Sequence, residues 1–244
     1  SYFTGENPLK SSETIYAVRR SKSNSMEKSN YPIATQGGKS GATPTHNLVA
    51  AYEYIGTPDP SNPYANRDPR LAASIVTNGS TWNGRVIDQS AGATDDMANA
   101  NASRTGYYLK KFLTDNLNLV QGQTAQHNWV AYRWGEVLLN YAEAMNEAFG
   151  PDVVPAGYVM SARQALQMVR NRASSKLPQV IAADQETFRE AVKHERRIEL
   201  AFEDHRYWDL LRWKDAMDVL NKPVLGVAVT KTETGWSYQV QEVA

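Results

Sequence analysis

The chain has 244 residues, 41% of them hydrophobic, with 26 basic and 26 acidic side chains and a formal net charge of +0. That length fits one large domain or two small ones, and a balanced charge with no dense basic cluster excludes a reader of nucleic-acid backbone. Cysteine is absent, which excludes disulfides, thiolate catalysis and cysteine-ligated metals, and no apolar run approaches the roughly 18 residues of a membrane-spanning helix.

Residues 1–127 read as loop-rich. The stretch 11–20 (SSETIYAVRR) alternates as a strand does, with Thr14, Tyr16 and Val18 on one side. Residues 21–47 are dominated by Ser, Gly, Thr, Asn and Lys, and residues 57–68 (TPDPSNPYANRD) carry three prolines. Both segments are expected to be irregular. Loops on this scale are unusual in a free-standing domain and mark a binding surface or missing context. The first residue is Ser1, not Met, so the expectation is a piece of a larger chain.

Residues 128–221 change in kind, with four successive helical patterns. Trp134, Val137, Leu138, Tyr141, Ala142, Met145 and Phe149 mark one face of the first, which Gly150-Pro151 stops. Ser161 and Gln164 form a capping-box pattern ahead of Ala165, Leu166 and Val169. Asp184 is the expected N-cap of the third, with Phe188, Val192, Ile198 and Phe202 inward. The fourth spans 206–221, with Tyr207, Leu210, Leu211 and Met217 as its apolar side. This periodicity places Trp134, Leu138, Leu166, Phe188, Phe202, Trp208, Leu211 and Trp213 in the core and pairs the helices into two antiparallel hairpins. Residues 222–244 read as a β-hairpin around a turn at 232–235, where Gly235 supplies a positive φ.

The expected fold class is therefore mainly α, with tetratricopeptide-like helical hairpins, a large loop-rich region and a small β-hairpin. Trp134-x-x-Val137-Leu138-x-x-Tyr141 follows the opening of a tetratricopeptide repeat, with Leu138 at the usual glycine position. Arrays of this kind need about three or more units. Two hairpins are visible here, so an upstream partner is expected, and without it an exposed apolar face.

Glu195, Glu199, Glu203 and Asp209 resemble paired catalytic carboxylates at first reading. Helical spacing instead turns Glu195 and Glu199 toward the stripe of Phe188 and Val192, where a carboxylate must be paired. Arg170, Arg172, Arg206 and Arg212 are the expected partners, and in a continuous helix Glu203, Arg206, Asp209 and Arg212 form an alternating ladder. Glycoside cleavage needs two carboxylates facing across an open cleft. His46, His127, His194 and His205 are scattered, and His194-Glu195 lacks the second His of a zinc motif. No catalytic, metal or cofactor constellation is read.

Aromatic side chains in loops are the better lead, because flat rings stack on the apolar faces of sugars. Tyr52, Tyr54, Tyr64 and Trp82 lie outside the helical stripes, near Asn62, Asn66, Asn78, Asn83, Arg67 and Arg85. The candidate ligand-binding residues are Trp82, Tyr64, Tyr54, Asn83 and Arg85. Trp82 ranks first because its flanks are small and polar; the alternative for each ring is an anchor holding its loop to the core.

Residues 132–147 (YRWGEVLLNYAEAMNE), 168–173 (MVRNRA) and 195–213 (ERRIELAFEDHRYWDLLRW), with 68–71 (DPRL) and 105–111 (TGYYLKK) upstream, carry a family likeness. In that order and spacing the chain resembles the C-terminal part of the SusD/RagB family over roughly residues 11–240. The resemblance implies a non-catalytic surface lipoprotein of the outer membrane of Bacteroidetes-type bacteria. It implies a lid on a SusC-like TonB-dependent transporter, with glycans or, in RagB-like members, oligopeptides as ligand. Membrane attachment would be through a lipid anchor whose cysteine is not in this chain. The family's N-terminal helices and its closing Pro-Ile-Pro segment are not found either. Asp204 stands where many relatives carry Gly, and Asp tolerates a left-handed turn better than most residues. A tetratricopeptide-type protein-interaction scaffold is the reading from another class; a concave polar helical groove without loop aromatics would favour it.

Overall fold

The computed structural model describes residues 2–243. Its first part holds α1 (Asn7–Lys10), β1 (Thr14–Arg19), α2 (Ser25–Asn30), α3 (His46–Val49), α4 (Arg70–Ser74), β2 (Ile75–Val76), β3 (Thr81–Trp82), β4 (Arg85–Val86) and β5 (Tyr108–Leu109). Then follow β6 (Asn128–Arg133), α5 (Trp134–Phe149), α6 (Ala162–Arg170), α7 (Gln185–Glu199), α8 (Arg206–Trp213), α9 (Ala216–Leu220), β7 (Leu225–Lys231) and β8 (Trp236–Glu242). Strands pair antiparallel in twos: β1 with β6, β2 with β5, β3 with β4 and β7 with β8. The strand expected within 11–20 forms as β1. Its partner β6 occupies 128–133, so helix begins only at Trp134.

Local signals fix the helix ends. Gly150 closes α5 at φ 83°, a backbone value that favours glycine. Ser161 and Gln164 exchange side-chain and backbone bonds at the start of α6, and Asp184 and Thr187 do the same for α7. α5 packs along both α6 and α7. Between them Leu138, Leu139, Met145, Leu166, Phe188 and Val192 are buried in one apolar cluster. Each such side chain contributes about 1.5–3 kcal/mol of transfer free energy.

The second expected hairpin does not form. α7 makes its main helical contact with α5 rather than α8. The third helix stops at Glu199, and the chain turns through Phe202 at φ 67° and Asp204 at φ 65°. Phe202 therefore leaves the helical stripe and lies half-buried between two other apolar clusters. The fourth pattern is two helices, split where Lys214 adopts φ 64°.

Four assignments to the core are corrected. Trp134 is 43% exposed, Trp208 65% and Leu211 45%, and Trp213 is half-buried. α8 instead turns Asp209 and Leu210 inward, because Asp209 accepts from Nε and Nη2 of the buried Arg196, at 3.1 and 3.0 Å. Helical periodicity finds a stripe but cannot say that an ion pair will face the core and leave the rings outside. Tyr207, Met217 and Leu220 extend this exposed apolar strip over α8 and α9.

The C-terminal hairpin forms as expected, with Thr232 N donating to Gly235 O at 3.0 Å across the turn. Gly235 has φ 159°, at the extended edge of the positive range. β7 docks on the 105–107 segment, where Val227 N donates to Thr105 O at 2.9 Å. The approach is too close for side chains: a Cβ on Gly106 would lie 2.6 Å from Val227 O, and one on Gly226 2.9 Å from Thr105 Cα. Beneath the hairpin, Val49, Tyr52, Ile75, Tyr107, Ile198 and Val227 form a buried cluster.

Candidate functional site

A cleft of about 400 Å³ opens between this hairpin and the proline-rich loop, lined among others by Asn62, Tyr64, Asn78, Thr232, Trp236 and Tyr238. The loop wall is ordered by its own side chains. Asp59 Oδ1 accepts from Ser61 N at 2.8 Å and Ser61 Oγ at 2.7 Å, and Asn62 Oδ1 accepts from Tyr64 N at 3.1 Å. These bonds replace the backbone ladder that prolines forbid. Tyr64 packs edge-on against Tyr107 and Tyr238, with ring centroids 6.1 and 5.4 Å away. Its hydroxyl donates to Tyr107 Oη at 3.4 Å, and that oxygen meets His46 Nδ1 at 2.8 Å. Burial pushes the Tyr64 phenol far above its ordinary value, so it stays a neutral hydroxyl.

The floor is the turn from Thr77 to Ser80, closed by Ser80 Oγ donating to Thr77 O at 2.7 Å. Asn78 spans two elements: its Oδ1 accepts from Gln89 N at 2.8 Å and its Nδ2 donates to Tyr238 Oη at 3.3 Å. The far wall is the hairpin. β8 alternates, so Trp236 and Tyr238 share the inward face. Trp236 Nε1 donates to Asp88 Oδ1 at 2.9 Å, and Lys231 Nζ donates to Asp88 Oδ2 at 3.0 Å while lying 4.2 Å above the indole ring. Burial would raise the Asp88 carboxyl, but bonds from Ser90, Lys231 and Trp236 outweigh it and hold it down at about 2. Asp88 is thus an ionised anchor for the indole.

Of the five expected ligand-binding residues, the structure brings only Tyr64 to this cleft. Trp82 is corrected: it is 1% exposed, edge-on to Tyr31 at 5.3 Å, in a cluster with Val76, Ile87 and Tyr108. Its small polar flanks are turn residues. Asn83 at φ 47° and Gly84 at φ 75° make the tight β3–β4 connection, and strand alternation then drives Trp82 inward. Asn83 sits exposed at that tip. Arg85 grips the buried Asp95 with both Nη atoms. Tyr54 is exposed, with the Arg67 guanidinium 4.0 Å over its ring and its hydroxyl bonded to Pro63 O at 3.2 Å. Tyr52 is buried. Asn62 and Asn78, named as neighbours able to bond hydroxyls, do line the cleft. Sequence reasoning missed Trp236 and Tyr238, although the signal was available: two aromatics two residues apart beside Thr232, Thr234 and Gly235.

The carboxylates of α7 form a separate, buried network. Glu195 lies between Arg70 and Arg170. Glu199 meets Arg133 and Arg172 at 2.7 Å each and Arg70 at 2.9 Å. Glu203 meets Arg133 and Lys111 at 2.7 Å each. Arg170 and Arg172 are partners as expected. Arg212 is not: it pairs with Asp209 and Glu143, and Arg206 joins neither glutamate. The turn through Asp204 breaks the alternating ladder, so Glu203 points back to Lys111 and Arg133 instead. Burial would raise the Glu199 carboxyl, but the guanidiniums of Arg133, Arg172 and Arg70 outweigh it and hold it well below the carboxylate range. Among the described residues, no group of three or more His, Cys, Asp or Glu is placed to hold a metal ion. The arrangement can stack rings on a ligand and exchange hydrogen bonds with it.

A family model described as SusD family matches residues 9–242. A curated relative, SusD-like protein P25 of Formosa agariphila, is 31% identical over 170 residues, which are 62% of this chain and 30% of that protein. A SusD-like carbohydrate binding protein of Bacteroides fragilis superposes with a TM-score of 0.78 at 30% identity, over 92% of this chain and 46% of its own. A second SusD-like protein of Bacteroides fragilis does so with 0.79 at 27% identity, over 99% and 50%. The chain thus spans about half the length of these solved structures.

Proposed function

Because the chain belongs to the SusD family, we propose that it is a non-catalytic glycan-binding protein whose ligand lies in the cleft between the 61–80 loops and the β7–β8 hairpin. The observation that carries this reading is the convergence of Tyr64, Trp236 and Tyr238 on one cleft otherwise lined by amides and hydroxyls. Sugar rings offer apolar faces edged with hydroxyls, and this lining complements both. The likeness to a solved carbohydrate-binding relative supports the same ligand class. The whole protein would capture oligosaccharide at the outer-membrane surface and pass it to a SusC-like TonB-dependent transporter.

Calorimetry of the chain against pools of oligosaccharides, with a peptide pool beside them, tests the ligand. Binding of a glycan that Trp236→Ala weakens about tenfold, or about 1.4 kcal/mol, is the expected result. Binding of peptides alone would replace the reading with oligopeptide capture. Co-purification of the transporter with the whole protein tests the partner.

A further inference from the structure

We infer that the cleft selects neutral glycans over uronate- or sulfate-bearing ones, and that Asp88 secures this by neutralising Lys231 beside the Trp236 ring. This rests on the glycan reading of the cleft. None of the side chains lining it is charged. The cations nearest in sequence to its loop and floor are already committed. Arg67 covers Tyr54 and donates to Pro63 O at 3.1 Å and Tyr52 O at 2.6 Å, and Arg85 is locked to Asp95. Lys231 lies against the indole, but Asp88 meets its ammonium at 3.0 Å and places a negative charge at the Trp236 edge.

An acidic sugar entering this cleft sheds water from its carboxylate or sulfate and finds no free guanidinium, which is the group that binds such anions in pairs of bonds. A neutral sugar meets groups of its own kind. The hydroxyls of Thr232 and Thr234 and the amide nitrogen of Asn62 line the cleft with no side-chain partner among the described residues, so they are free to bond sugar hydroxyls. Selectivity here comes from withholding a counter-ion as much as from offering contacts.

The test is a calorimetric panel of size-matched oligosaccharides against the chain: neutral gluco-, xylo- and manno-oligosaccharides beside oligogalacturonates and sulfated galacto-oligosaccharides. At least one neutral member should bind, with its acidic counterparts weaker by about tenfold or more. Asp88→Asn keeps an oxygen to accept from Trp236 Nε1 but unmasks Lys231. It should narrow the gap by strengthening acidic binding, and added salt should abolish that gain. Lys231→Gln, which leaves Asp88 uncompensated, should widen the gap and serves if Asp88→Asn does not fold. An acidic oligosaccharide bound by the unaltered chain as tightly as the best neutral one, and lost in Trp236→Ala, overturns the selectivity while the glycan reading stands. A neutral-to-acidic ratio unmoved by both charge variants overturns the role of Asp88. Absence of any glycan binding, or binding indifferent to Trp236→Ala, strikes the glycan reading of the cleft and this inference with it.

Discussion

Trp82 is 1% exposed with its edge toward Tyr31, whereas Trp236 stands half-buried at the mouth of a cleft, its nitrogen tied to Asp88. The same side chain is core in one place and wall in the other, and the neighbours decide which. Trp82→Ala should therefore cost about 3–5 kcal/mol of stability, read by urea denaturation, and glycan affinity of the folded fraction should survive. A stable Trp82→Ala chain that no longer binds glycan would restore Trp82 as a ligand platform. Glu199 is the corresponding case for charge. Its side chain is 4% exposed, and removing one member of a buried ion pair costs about 3–5 kcal/mol, so Glu199→Gln should melt well below the unaltered chain. The pH dependence follows from the direction of its shift. The carboxyls of Glu199 and Glu203 are depressed in the folded state from an ordinary value of 4.5. Their stabilisation is present above that value and is lost as pH falls below it toward the folded values. Melting temperatures measured from pH 7 down to pH 3 should fall steeply in the acid limb, and Glu199→Gln should flatten that fall. An acid limb of unchanged slope in the variant would show that the network does not carry the acid sensitivity.

The elements divide by how local their determinants are. The starts of α6 and α7 and the stop of α5 were legible because a cap is decided within four residues: Ser161 with Gln164, Asp184 with Thr187, Gly150 after Phe149. The break between α7 and α8 was half-legible. Asp204 does take a left-handed turn, which Asp tolerates better than most residues, at φ 65°. Phe202 was read as one more inward residue of a continuing helix, since its spacing fits the stripe and nothing in its chemistry announces φ 67°. Lys111, far away in sequence, secures this turn by donating to Glu199 O at 3.3 Å, Ala201 O at 3.0 Å and Glu203 Oε1 at 2.7 Å. At Asp204 a side chain with a Cβ costs about 1–2 kcal/mol in the left-handed region, least for Asp and Asn. Asp204→Gly should thus leave the melting temperature unchanged or raise it, and Asp204→Val should lower stability by about 1–2 kcal/mol. A Val variant as stable as the Gly variant would mean that the turn relaxes to another backbone shape.

At the scale of the molecule, the helical core and the loop-rich first half were readable from periodicity and composition, while the cleft was not. Its walls are Tyr64 and Trp236, separated by most of the chain, and they meet only because β7 docks on residues 105–107. No local pattern encodes that encounter. Its sequence trace is a pair of glycines, Gly106 and Gly226, which have meaning only once the two backbones are known to touch. Gly226 is the cleaner probe of the two, since Gly106 also requires φ 79°. A Cβ at 226 would meet Thr105 Cα and Val243 Cγ2 at 2.9 Å and Thr105 O at 3.0 Å, so the hairpin must shift outward to admit it. Overpacking of this kind costs about 1–3 kcal/mol. The shift should also carry Trp236 and Tyr238 away from Tyr64 and Asn78, spoiling the spacing of the rings. Gly226→Ala is therefore expected to lower the melting temperature moderately and to weaken neutral-glycan binding by about tenfold, or about 1.4 kcal/mol, although residue 226 lines no part of the cleft. Calorimetry and thermal melts on the same preparation separate the two effects. A variant that melts lower yet binds glycan with undiminished affinity would make the hairpin a structural cap and place the binding surface away from it.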